Sequence, residues 1–74
     1  MQGKVLSIAG SDSSGGAGIQ ADIKTISALG GYAMSTITAI TVQDTNMVSD
    51  VFPIPAHIVK AQLISVLGDI GADA

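Results

Sequence analysis

Apolar and polar positions along this 74-residue chain group into short runs set apart by glycine and proline. Lys4 to Ala9 (KVLSIA) is an apolar run bounded by glycine and predicts a buried strand. Gly10 to Gly18 (GSDSSGGAG) holds four Gly, three Ser and one Asp, which predicts a loop that bends sharply or approaches a ligand closely. Apolar residues then recur at Ile19, Ile23, Ile26 and Leu29, the period of a helix, with Gly30-Gly31 where a C-cap glycine belongs. Tyr32 to Val42 (YAMSTITAITV) is rich in β-branched residues. Strict alternation sets Ile37, Ala39 and Thr41 on one face and Thr38, Ile40 and Val42 on the other, so the run predicts a strand covered on both sides. Gln43 and Asp44 end it, and a third short strand is predicted at Met47 to Phe52. Pro53 and Pro55 break the chain, and Pro55 suits the first position of a helix whose apolar face is Val59, Leu63, Val66, Leu67 and Ile70. Gly68 or Gly71 can terminate that helix.

The order strand, Gly-rich loop, helix, strand, strand, helix predicts an α/β protein with a parallel pair joined by a right-handed crossover. Two or three strands with helices for one face do not close an architecture. Residues 1–74 are therefore expected to be the N-terminal portion of a larger α/β domain, because Ala72-Asp73-Ala74 falls where the next parallel strand should begin. A partial sheet of this kind leaves an unpaired edge and an apolar face, so the chain on its own is expected to aggregate, stay molten or self-associate.

Charge narrows the functional classes. Six Asp, no Glu, three Lys, no Arg and one His give a net charge of -3. Three scattered lysines, Lys4, Lys24 and Lys60, cannot form the basic stripe that nucleic acid requires. An apolar share of 47% argues against disorder, and the absence of Cys excludes disulfide staples and thiolate zinc sites. The longest uncharged stretch, the nineteen residues between Lys24 and Asp44, approaches spanning length. It carries four Thr, two Ser and a central Gly-Gly pair, so it reads as a helix end followed by a strand and not as a membrane span. The N-terminal apolar run of five residues, Val5 to Ala9, is too short for a signal peptide.

Three places can carry chemistry. The loop Gly10 to Gly18 follows a strand and opens a helix, where backbone N–H groups favour an anion or polar ligand group. It is not a Walker A loop, because Gly16-Ala17 stands where Lys-Ser/Thr is required. Gly16 to Ala21 matches GxGxx(G/A), but six residues separate it from the strand, which weakens a dinucleotide reading; a ligand-free connector is the alternative. Asp22 lies at the edge of the helix's apolar stripe, either as a functional carboxylate or as a favourable charge in the first turns. Val42-Gln43-Asp44 stands at a strand's carboxyl end, where open parallel sheets bind ligands. Gln43 can accept from an amino group and donate to a neighbouring ring nitrogen, as glutamine does with adenine; otherwise it is a solvated strand-end amide. His57 and the acids Asp69 and Asp73 read as surface, and Met34 and Met47 as packing. No Ser/His/Asp arrangement and no dense carboxylate group for Mg²⁺ is present.

The stretch SIAGSDSSGGAGIQADIKTISALGGYAMSTITAITVQDT, continued by VFPIPAHIVKAQLISVLGDIGADA, resembles the hydroxymethylpyrimidine/phosphomethylpyrimidine kinases of thiamine synthesis over nearly the whole chain. The resemblance implies a ribokinase-like α/β/α sandwich with a mostly parallel sheet, cytoplasmic and homodimeric. It implies that Gln43 contacts the amino edge of a pyrimidine, with Val42, Ala17, Gly10 and Asp22 around the ring and its hydroxymethyl group. It also implies ATP and Mg²⁺ as cofactors, bound with the catalytic residues in a C-terminal half outside these residues. A pyridoxine-type vitamin kinase, a noncatalytic binding module and a Rossmann-type dinucleotide domain, with Asp44 as its ribose acid, are the other readings.

Overall fold

The computed structural model describes residues 3–74. It contains β1 (Lys4–Asp12), α1 (Gly18–Ala28), β2 (Tyr32–Gln43), β3 (Val48–Pro53) and α2 (Ala56–Asp69). The three strands form one sheet in the order β1-β2-β3, with β1 and β2 parallel and β2 and β3 antiparallel. The sheet is thus mixed: its parallel pair is the one the strand–helix–strand order predicts, and β3 returns along β2 after a short turn. Asp44 makes that turn by accepting from the N–H groups of Asn46 and Met47 (2.7 and 3.1 Å).

α1 lies on the sheet face that carries Val5 and Ser7. Its Asp22 accepts from Ser7 Oγ, and its Ile26 shares a shallow pocket with Val5. It stops in a Schellman turn: Gly31 N–H reaches Ile26 C=O (2.9 Å) and Gly30 N–H reaches Ser27 C=O (3.1 Å). Gly30 has φ +85°, the left-handed conformation that the cap requires. α2 begins one residue later than the Pro55 position predicts, with Pro55 as its N-cap. It is hydrogen-bonded to β2 through Gln62. Gln62 Oε1 accepts from Ile37 N–H and Gln62 Nε2 donates to Ile37 C=O, each at 2.9 Å. The two helices do not pack on each other.

The register shifts once between β1 and β2. Ala9 lies beside Ile37 and Ser11 beside Ile40, so β2 spends one more residue than β1 over this interval. Strict alternation along β2 is therefore broken. Ile37 and Ile40 share the α1 side, while Thr41 joins Asp12 on the other. This corrects the faces that alternation predicts for Tyr32 to Val42. The covering is also less complete than predicted: Met34 and Thr36 are buried, but Ile40 and Val42 are exposed. Met47 is likewise exposed and not packed.

On the outer edge of β1, Leu6 N–H reaches Ala74 C=O (2.9 Å) and Ala74 N–H reaches Lys4 C=O (3.2 Å), the slanted pattern of a parallel pair. Among the described residues the buried apolar side chains are Ile19 and Met34, and no helix is long and apolar enough to cross a membrane.

Candidate functional site

The carboxyl end of β1 is where the loop prediction needs correction. Gly10, Ser11 and Asp12 are strand residues, with Ser11 and Asp12 paired to Ile40 and Thr41, and the turn itself is confined to Ser13–Ala17. The strand end is clamped by Gln20 in the first turns of α1. Its Oε1 accepts from Asp12 N–H (2.8 Å) and its Nε2 donates to Ser11 Oγ (2.8 Å).

Asp12 organises the turn. The residue is 3% exposed. Its Oδ1 accepts from Ser14 N–H (2.8 Å) and Ser14 Oγ (2.7 Å), and Oδ2 accepts from Ala17 N–H (2.7 Å). Its backbone C=O takes Gly15 N–H (3.0 Å). Gly18, φ +58°, lies so close under the Gly10 carbonyl that a Cβ there would collide with it. Turn and strand are thus bound tightly together.

Gln43, at the end of β2, meets this turn. Ser13 Oγ donates to Gln43 C=O (2.7 Å) and accepts from Gln43 N–H (2.9 Å). The Gln43 side-chain amide lies near enough to the Asp12 carboxylate to help lower its pKa. The Gly-rich turn and the strand-end glutamine are therefore one site, as the placement of both at carboxyl ends of adjacent parallel strands requires. Ala17 adjoins it through the N–H it gives to Asp12, and Gly10 lies beside it against Gly18.

Two candidates stand apart. Val42 is 53% exposed and, being next to Gln43 in the strand, points to the opposite side. Asp22 is exposed overall but stands at the edge of the helix face turned to the sheet, as its spacing predicts. It accepts from Ser7 Oγ (2.6 Å), five residues before Asp12, roughly 16 Å along an extended strand. It lines a shallow pocket of about 300 Å³ with Leu6 and Thr25. Asp12, Ser13 and Gln20 are the site residues that sequence reasoning passed over. The Asp-Ser-Ser run preceding Gly-Gly is the one signal for them, since Asp and Ser in that setting bond their own backbone.

A glycine-rich turn and a strand-end amide thus meet at the carboxyl end of a parallel pair, in an α/β chain of three strands and two helices. The solved structures of like shape are kinases of the ribokinase-like fold. The crystal structure of phosphomethylpyrimidine kinase from Clostridium difficile matches with a TM-score of 0.88 and 58% identity, covering 90% of this chain and 31% of that one. Pyridoxal kinase from Staphylococcus aureus matches with a TM-score of 0.87 and 47% identity, covering 99% of this chain and 27% of that one. Among curated proteins, the hydroxymethylpyrimidine/phosphomethylpyrimidine kinase of Rhizobium meliloti is 59% identical over 69 residues, 93% of this chain and 26% of the relative. That of Streptomyces coelicolor is 53% identical over 70 residues, 95% of this chain and 26% of the relative. The family described as phosphomethylpyrimidine kinase matches residues 12–74, and the chain belongs to it. It spans about a quarter of the length of these two curated relatives (26%).

Proposed function

We propose that this chain is the substrate-recognition part of an ATP-dependent kinase that phosphorylates 4-amino-5-hydroxymethyl-2-methylpyrimidine and its monophosphate. The observation that carries the reading is the meeting of Gln43 with the Ser13–Ala17 turn. An amide held beside that turn can accept from the ring's amino group and donate to the adjacent ring nitrogen. Family membership and the kinase names of the relatives support the same reaction. Gly10 and Ala17 are proposed to complete the surroundings of the ring, while Val42 and Asp22, the latter bonded to Ser7, lie on the other side of the sheet.

ATP supplies the phosphoryl group when bound, and Mg²⁺ is the cation proposed to accompany it. The sites for both are proposed to lie outside these residues. Lys24 Nζ is engaged by Gly15 C=O and Lys4 Nζ by Ile70 C=O, each at 2.9 Å. Among the described residues no group of three His, Asp or Glu stands together. Transfer depends on charge neutralisation at the moving phosphoryl, so this chain's contribution is to bind and orient the acceptor. The whole kinase is proposed to be a cytoplasmic homodimer. The exposed Val51 and Phe52 of β3 offer it apolar surface.

The test uses the Rhizobium meliloti kinase with its matching stretch replaced by this chain. Gln43→Ala there should weaken binding of the aminopyrimidine by roughly 1–3 kcal/mol, the range for losing a bidentate contact to a base edge. An unchanged dissociation constant by calorimetry removes Gln43 from the site. The likeness to pyridoxal kinase favours one second reading, a pyridoxine-type ring; tighter binding of pyridoxine than of the aminopyrimidine by the same chimera would establish it.

A further inference from the structure

The ring-binding reading leaves Asp12 without a role beyond folding the turn, but its position says more. The register sets Asp12 beside Thr41, and Gln43 is two residues further along β2, hence on the same side of the sheet. The later irregularity, between Val42 and Gln43, places its extra residue on β3 and leaves this phase of β2 intact. Ser13, next to Asp12, pins the Gln43 backbone through both its N–H and its C=O. The carboxylate is buried and already accepts from Ser14 and Ala17.

A primary amide has two N–H hydrogens and two ways round. The hydrogen on the Oε1 side is the one that pairs with a ring alongside Oε1. The outer one points elsewhere. We propose that Asp12 is a positioning residue: its carboxylate takes the outer N–H of Gln43 and so presents the amide to the ring with Oε1 as a fixed acceptor. The flipped amide would set Oε1 against a buried carboxylate, acceptor against acceptor, with no hydrogen between them. The Asp12 carboxyl is held near a pKa of about 2, so the charge persists at neutral pH. The consequence is selectivity. A ring bearing an exocyclic amino group meets the fixed acceptor, whereas a ring with an oxo group at the same position meets oxygen with oxygen.

This role rests on the aminopyrimidine reading, and the experiment separates the two. In the chimera described above, dissociation constants are measured for 4-amino-5-hydroxymethyl-2-methylpyrimidine and for its 4-oxo analogue, with Asp12 and with Asp12→Asn. The unaltered chimera should favour the amino ring. Asp12→Asn should cut that preference at least tenfold, because the introduced carboxamide can itself donate to Oε1 and release the amide to turn. If both rings lose affinity in proportion, or neither does, the positioning role is overturned while the aminopyrimidine reading stands. If the unaltered chimera binds neither ring, both are overturned. Should Asp12→Asn fail to fold, the unaltered ligand-free protein decides by NMR. The two side-chain amide protons of Gln43 should then exchange with solvent at rates differing at least tenfold, and equal rates overturn the proposal.

Discussion

Burial by itself raises the pKa of the Asp12 carboxyl. The hydrogen bonds from Ser14 Oγ and Ser14 N–H, the nearby Gln43 amide and the hydrogen bond from Ala17 N–H outweigh it and lower the value from 3.8 to about 2. A carboxyl depressed in the folded state adds stability that is present above its ordinary value and lost as pH falls through the folded one. The turn should therefore hold from neutrality down to about pH 4 and open between about pH 4 and pH 2. Exchange protection of the Ala17 amide in the chimera, corrected for the intrinsic rate, should drop in that window. Protection that persists below it would show that Asp12 does not hold the turn. The residue scale also shows what could be seen in advance. Gln43 was legible because its place at a strand end and its donor-acceptor pair are both written in the sequence. Asp12 was not, because its importance comes from N–H groups that converge on it only once Ser13–Ala17 has turned.

Among the elements, five runs of hydrophobic and β-branched residues correspond in order and type to the five observed elements. The misjudged boundary is the end of β1. Gly10-Ser11-Asp12 has the composition of a turn, but pairing with Ile40 and Thr41 draws Ser11 and Asp12 into the sheet. Local propensity yields there to a neighbour that sequence alone does not reveal. The docking of α2 is similar. Val59, Leu63, Val66 and Ile70 of its predicted apolar face are half-buried while Leu67 is exposed, and the Gln62 bridge to the Ile37 backbone was not legible. That side chain serves Ile37 as a neighbouring strand would, at a position where β3 does not reach. Gln62→Ala should leave a part-buried N–H and C=O unpaired and cost about 1–3 kcal/mol. The chimera's urea midpoint reports the loss, and an unshifted midpoint would mean that water replaces the amide at no cost.

The whole molecule is thin for a sheet with two helices, 12 Å along its shortest axis. Leu29, Phe52 and Met47 are exposed at 84%, 62% and 60%. With Ile19 and Met34 as the buried apolar side chains among the described residues, hydrophobic burial offsets little of the chain entropy. Among the described residues the outer edge of β1 is paired at Lys4 to Leu6, which leaves Ser7 to Asp12 open to strand addition. The 74-residue chain expressed alone should therefore elute as associated species and melt without a sharp transition. A monomer by sedimentation with a single cooperative calorimetric peak would contradict this.

The extra residue in β2 divides the strand by parity. Up to Ile37 the odd-numbered positions look toward α1; from Ile40 onward the even-numbered ones do. The half that packs and the half that carries the proposed site are thus addressed by different rules and can vary independently. A β2 segment transplanted from a strand lacking that residue would match this one at every packing position and still deliver its glutamine to the wrong side of the sheet.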